Sequence, residues 1–304
     1  FIIIYMSEYF DNKELLIGPK MSQYGSHMLI TDVKKETKTK YVNIDTRFRD
    51  DYNDTNKNVI SLPEKINDVH SLCVTNVEVP MTFNNVSSSL ENNSIKIIDA
   101  ANTETVITIA DGQYNIEDIK DALNTAIQAT AIGGAVEFNI VNNNITITTT
   151  ATYTIDFNVY NSSYTKKYLR NKLGYVLGFR KQTYMIETAT ITSESFALLP
   201  FPRYLYLVVD ELITQGNINT FISPMSDSII NKNILSRISL DRNQYGFNSV
   251  LPANIVNGYL TTSVRTYQGK MDLGRLNIQL VNEYGQVMDL NGHDISLCLK
   301  ITYD

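Results

Sequence analysis

The chain has 304 residues and a formal net charge of −6, with 43% hydrophobic and 19% charged residues. This composition describes a folded protein rather than a disordered one, and the negative charge gives no general attraction for nucleic acid or anionic lipid. No run approaches the roughly twenty apolar residues that a membrane-spanning helix needs. The 19 tyrosines, together with abundant Ile, Thr and Asn, favour an all-β protein with Asn-rich loops.

Residues 6–39 are polar and turn-prone, end in a charged run, and show no sustained periodicity. We expect residues 1–39 to form an N-terminal arm. Two alternatives remain open for it, a disordered tail or a segment that becomes ordered against a neighbouring subunit. In both cases the folded domain begins near residue 40.

Three extended segments follow the arm. Tyr41–Asp45 predicts a first strand, and Val59–Pro63 begins a second. Val69–Val79 alternates between two sets of side chains, as expected of a strand with one buried face. Pro80 should end that strand, because proline cannot donate a hydrogen bond to a sheet. The sequence therefore predicts two strands between residues 59 and 79.

The middle of the chain changes its periodicity once. Residues 116–127 carry apolar side chains at helical spacing after Asn115, with Glu117 and Asp118 in the first turn, where they suit the helix dipole. Short strands are expected on both sides of this helix, at residues 95–98, 105–109, 136–140, 145–148 and 153–157. Further on, Gly174 and Gly178 lie among aromatic residues and predict a tight chain reversal against packed rings.

The last third contains the clearest strand patterns. Residues 203–210 form a nearly continuous apolar run, typical of a strand covered on both faces. A further strand is expected at Ile234–Leu240, between long loops at 214–233 and 243–258. The C-terminal region has two alternating runs, at 275–280 and 295–302, which predict an antiparallel hairpin that closes the sheet.

Residues suited to catalysis or metal binding are scattered. His27, His70 and His293 stand alone, without metal-ligand spacing. Cys73 and Cys298 each lie in an alternating apolar run, which favours buried free thiols and a reducing compartment over a disulfide. We therefore expect no cofactor and no metal.

Two acidic clusters could in principle bind calcium or act as acid and base. They are Asp50, Asp51 and Asp54 in one turn, and Asp210 with Glu211 at a strand end. Solvated charge is the ordinary explanation for both clusters, and no phosphate-binding loop or nucleophile elbow accompanies them. The sequence therefore predicts no enzymatic activity.

One surface motif merits a specific hypothesis. Arg47 and Arg49 flank Phe48 directly after the first strand, so both guanidinium groups could point towards an acidic or carbonyl-rich neighbouring surface. The alternative is a set of ion pairs to Asp50, Asp51 or Asp54 in the same loop. Arg47, Phe48 and Arg49 are thus the candidate subunit-contact residues.

Several stretches stand out when they are taken in their order along the chain: Tyr41–Asp50, Ile60–Val69, Glu78–Pro80, Asn92–Ile95, Gly112–Asn115, Leu173–Arg180 and Leu276–Lys300. Together they resemble the penton and minor capsid proteins of large icosahedral DNA viruses (nucleocytoplasmic large DNA viruses) and of their virophage and polinton-like relatives. The resemblance covers roughly residues 40–304.

This resemblance implies a single jelly roll, in which two four-stranded antiparallel sheets pack face to face, with an insertion roughly within residues 100–200 that holds the helix and a hairpin. It also implies a structural protein of the virion, assembled in the host cytoplasm, with five copies at a capsid vertex and the major and other capsid proteins as partners. A minor lattice or cement protein is one alternative. A carbohydrate- or receptor-binding β-sandwich is another, and a hydrolase using Asp50, Asp51 or Asp210 is a third.

Overall fold

The fold is all-β, as the composition predicted. A computed structural model describes residues 37–51, 58–159, 171–198, 202–212 and 233–304. The expected arm therefore lies almost wholly outside the described residues, as does the loop expected at 214–233 except for its last residue. Within the described ranges, strands predominate, and there are two α-helices and one 3-10 helix.

The elements are numbered along the chain. The helices are a 3-10 turn at Thr46–Phe48, α1 at Ile116–Gln128 and α2 at Leu173–Val176. The strands are β1 Lys38–Asp45, β2 Asn58–Pro80, β3 Ser94–Asp99, β4 Glu104–Thr108, β5 Val136–Val141, β6 Asn144–Thr149, β7 Thr152–Asp156, β8 Thr183–Glu187, β9 Thr190–Thr192, β10 Tyr204–Asp210, β11 Ile234–Ser239, β12 Val250–Asn254, β13 Leu260–Thr262, β14 Arg265–Val281 and β15 Ser296–Tyr303.

The main sheet is antiparallel and has the order β1-β15-β2-β14-β10-β11-β13, with β12 also paired to β2. Strand β2 joins its two halves. Residues 58–72 of β2 pair with β14, residues 69–78 pair with β15, and residues 76–80 pair with β12. One large apolar core contains side chains from both halves, so the curled sheet packs against itself as a jelly-roll-like sandwich. The two expected four-stranded sheets are thus one continuous sheet that shares β2.

Strand β2 corrects two predictions. It is one strand of 23 residues rather than two, and its alternation is interrupted. The pairing with β15 skips Thr75 and His70, which makes each an extra residue, or β-bulge. Consequently Val77 and Val74 both face the core although they lie three residues apart. The Thr75 hydroxyl donates to the Cys298 carbonyl across the bulge at 3.1 Å.

The C-terminal strand lies in the interior of the sheet. Strand β15 pairs with β1 on one side and β2 on the other. Its apolar side chains at 297, 299 and 301 are buried, as is Ile295 directly before the strand. The alternation predicted for this run is confirmed. The predicted hairpin is wrong, because β14 and β15 pair with opposite edges of β2 and do not pair with each other.

Strand β12 was missed, and the predicted loop at 243–258 is wrong in that part. Residues 250–254 pair with residues 76–80 of β2. The strand contains Pro252, which argues against a central strand. Pro252 is accommodated because β2 is the one strand that pairs with β12 among the described residues.

The segment between β2 and β10 has its own apolar cluster, built from β3–β9 and the two helices. Helix α1 confirms the predicted helix. Asn115 and Asp118 cap it reciprocally, and Ile119, Leu123 and Ile127 are buried. Gly174 lies against a packed ring as predicted, since a Cβ there would lie 2.2 Å from the Phe157 ring, whereas a Cβ at Gly178 would meet the Ser195 carbonyl oxygen rather than a ring. The division into an arm at 1–39 and a domain at 40–304 with an insertion within 100–200 stays a prediction.

Candidate interaction surface

The candidate contact motif forms a capped turn at the end of β1. The Asp45 carboxylate accepts a hydrogen bond from the Arg47 backbone N–H at 3.0 Å and one from its Nε at 2.9 Å. The hydrogen bond from the Arg47 side chain is the main reason why the pKa of Asp45 lies below its ordinary value. Arg47 is therefore held against its own turn, although its side chain remains two-thirds exposed.

Phe48 and Arg49 point in different directions. Phe48 is 74% exposed, whereas the Arg49 side chain is 8% exposed and donates to Asp294 Oδ1 at 2.6 Å. The chain enters a 3-10 helix here, so side chains no longer alternate as in a strand. The two guanidinium groups thus bind two different carboxylates of the same chain, those of Asp45 and Asp294, and the assignment of residues 47–49 to a subunit contact stays a prediction.

An open groove of about 590 Å³ lies between β1 and the first residues of β2. Tyr41 and Phe48, both largely exposed, contribute aromatic rings, and half-buried Val42 and Leu62 contribute aliphatic surface. The residues that line it are Lys40, Tyr41, Val42, Asn43, Ile44, Asp45, Phe48, Ile60, Ser61, Leu62, Pro63, Glu64 and Ile66. We name this feature the β1 groove.

Among the described residues, β1 is the edge strand of the main sheet beside the β1 groove. In the part of the chain that the structure describes, β1 pairs with β15 alone. The charged side chains on the groove are already paired, Lys40 with Glu64 at 3.1 Å and Asp45 with Arg47. An unpaired edge strand beside apolar surface is a ready site for contact with another chain.

A second apolar surface lies across the same half of the sheet. The turn after β12 exposes Ile255 (60%) and Val256 (98%). Asn254 and Asn257 exchange backbone-to-side-chain hydrogen bonds of 3.0 and 2.9 Å, and Gly258 closes the turn with φ +79°. We name residues 255–258 the β12 turn. Its shape is fixed by polar groups while its tip is aliphatic.

The acidic residues highlighted by the sequence have structural partners. Asp50 accepts from the Ser61 backbone and hydroxyl, at 2.9 and 2.8 Å. Glu211 is buried, and its Oε1 accepts from Arg265 Nη1 and from the Tyr267 hydroxyl, both at 2.5 Å. Burial raises the pKa of Tyr267, so its proton stays on the hydroxyl.

Asp210 accepts from the Leu212 backbone N–H, and Asp54 lies outside the described residues. No group of three metal-ligating side chains occurs within the described ranges. Cys73 and Cys298 are free, as predicted, but only half-buried. No helix among the residues described is long and apolar enough to cross a membrane.

Two features of the structure were not predicted from the sequence. Ile255 and Val256 fell within an expected loop, although two β-branched residues directly before Asn-Gly are unusual turn chemistry. The buried Arg265 was also missed, because the groups to which it donates lie 32, 54 and 56 residues away in the chain.

No family model and no curated protein matches the chain. Among solved structures, the chain is similar to a mavirus penton protein, with 12% sequence identity and a TM-score of 0.41 over 87% of this chain and 99% of that one. It is similar, at 12% identity and a TM-score of 0.41, to a chain in the 3.5 Å cryo-electron-microscopy structure of the Sputnik virophage. That second similarity covers 87% of this chain and 98% of the other.

Proposed function

We propose that this chain is a non-enzymatic structural protein of an icosahedral viral capsid, and that five copies form the penton at a vertex of the virion. The observation on which this rests is the pair of apolar surfaces at opposite edges of one half of the sheet. In the order β1-β15-β2-β12, the β1 groove lies beside the first strand and the β12 turn follows the last.

Such surfaces are informative because of their placement. Single exposed apolar residues are normal, whereas exposed apolar clusters at an open sheet edge mark contact sites. A subunit with one such surface would form a closed pair. A subunit with two different surfaces on opposite sides can bind a neighbour at each, as copies in a ring do.

The candidate contact residues fit this proposal with divided roles. Phe48 supplies exposed aromatic surface to the β1 groove, and Arg47 lies beside it with its guanidinium 5.9 Å from the ring centroid. Arg49 acts indirectly, because its ion pair with Asp294 connects the turn to the segment before β15. We therefore assign Arg47 and Phe48 to the contact and Arg49 to positioning the turn.

A carbohydrate-binding function is the second candidate. It is favoured by the two aromatic rings of Tyr41 and Phe48 beside the carboxylates of Asp45 and Glu64, a combination that sugar sites use. Against it, Asp45 already binds Arg47 and Glu64 already binds Lys40. The aliphatic β12 turn also has no role in such a site.

Sedimentation velocity and thermal melts of the purified full chain, each with and without a panel of soluble glycans, distinguish these functions. The capsid proposal predicts a discrete species at five times the chain mass of 34.4 kDa, unaffected by glycans. A monomer at every concentration, with a melting temperature that rises on addition of one glycan, would overturn the proposal in favour of the sugar-binding function. An assembly of another size that incorporates into capsid lattices would indicate the minor lattice protein instead.

A further inference from the structure

We propose that the β12 turn of one copy docks into the β1 groove of the next copy. This inference rests on the proposed function and specifies which surfaces join neighbouring subunits. The occupant of the groove is thus a second copy of this chain, bound through Ile255 and Val256.

The β12 turn is suited to insertion. The Asn257 side chain holds the turn through the hydrogen bonds that it donates and accepts. Its Oδ1 accepts from the backbone N–H groups of Asn254 and Tyr259, at 3.0 and 3.2 Å. The two apolar side chains at the tip therefore lose little conformational freedom when they are buried. Binding by a preorganised segment avoids much of the entropy cost of association.

The two surfaces are compatible in charge, because neither offers an unpaired charge to the other. Residues 243–264 contain no charged side chain, in a chain in which 19% of residues are charged. The charged residues on the β1 groove are Lys40, Glu64 and Asp45, and each is paired within its own chain. An uncharged aliphatic occupant therefore fits a groove whose charges are already compensated, whereas a charged one would lose hydration without gaining a partner.

The arrangement of the strands requires the contact to be between different copies. Strands β15 and β2 separate β1 from β12, which places the two surfaces about 14 Å apart at the usual strand spacing. Because one surface differs from the other, the contact is heterologous, so it propagates around a ring rather than ending in a two-fold pair. Five-fold closure is one such ring.

Two point variants test the contact from its two sides. Val256→Asp places a charge on the turn, and Phe48→Asp places one on the groove. Both residues are exposed in the subunit, so neither variant should affect folding, which circular dichroism and a thermal melt can verify. Val106→Asp, at a half-exposed valine on β4, is the matched control. We expect each contact variant to weaken association at least about tenfold, and the control to leave it unchanged.

Mixing the variants gives the decisive result. Each variant keeps one intact surface, so an equimolar mixture of Val256→Asp and Phe48→Asp chains should form a heterodimer that neither variant forms alone. In parallel, Val256→Cys chains mixed with Phe48→Cys chains should form a disulfide-linked pair under mild oxidation. Failure of the mixture to associate, or wild-type assembly by both variants, would overturn the contact.

The proposed function can be judged separately. If both contact variants still assemble as the wild type does, the assigned surfaces are wrong and a capsid role stands. If the wild-type chain neither self-associates nor enters particles, the capsid role itself fails. If the wild-type chain enters particles but cross-links between positions 48 and 256 do not form in them, only the contact is refuted.

Discussion

Replacing Leu299 with alanine tests how the sandwich is built. Leu299 is fully buried on β15 and lies between Val42 of β1 and Val74 of β2 in the pairing register. Truncating a buried leucine costs about 2–5 kcal/mol, and a central position with neighbours on both strands supports a value of about 3 kcal/mol. The alanine leaves a cavity, and the sheet cannot collapse into that cavity without breaking the pairing of two strands.

Urea unfolding of the full chain measures this cost. With an m-value of about 3 kcal/mol/M for a chain of this size, the midpoint should fall by about 1 M. Lys300→Ala, on the opposite face of β15, is the control and should cost less than about 1 kcal/mol. The variants should be compared at one protein concentration, because association shifts apparent stability. Equal losses for the two variants, or none for Leu299→Ala, would refute the burial of one face of β15 in the core.

Three further substitutions probe separate features. Burial raises the pKa of Glu283. The wild type should therefore lose stability as the pH rises from the ordinary carboxyl pKa through the raised pKa of Glu283. In thermal melts, Glu283→Gln should have a higher melting temperature than the wild type at pH 7.5 and the same one at pH 4, and equal melting temperatures at both pH values would contradict this. Arg265→Met leaves the Glu211 carboxylate buried without its ion pair. It should lower the free energy of unfolding, measured by urea denaturation, by about 3–5 kcal/mol, and adding Glu211→Gln should restore part of that loss. An unchanged free energy of unfolding would contradict the pairing. Gly178→Ala should lower the melting temperature far more than Gly134→Ala. Both glycines have a positive φ, but a Cβ at Gly178 would lie 2.0 Å from a carbonyl oxygen, whereas a Cβ at Gly134 would meet open space.

The elements with regular periodicity could be predicted from the sequence. Helix α1, the apolar face of β15 and the doubly covered β10 all have patterns set by local geometry and burial. The bulges at His70 and Thr75 could not be predicted, because they depend on the register of β15, more than 200 residues away. Strand β12 was missed because Pro252 argues against a strand, and only the position of its partner β2 makes the proline acceptable.

The candidate surface was predicted only in part. The sequence directed attention to Arg47, Phe48 and Arg49, but strand-like alternation was extended past the end of β1, into a 3-10 turn capped by Asp45. The partner of Arg49, Asp294, lies 245 residues away, so no local pattern could reveal it. The β12 turn has a weak local signal in its Ile-Val-Asn-Gly sequence, whose significance becomes apparent once both residues are known to be exposed.

The most direct test of the central claim is the location of this chain in an assembled particle, measured by cryo-electron microscopy of particles formed with the full-length protein. A capsid vertex protein predicts five copies around each five-fold axis, with side-chain density for residues 255–256 of one copy against Tyr41 and Phe48 of the next. Particles whose vertices and lattice both lack density for this chain would contradict the account.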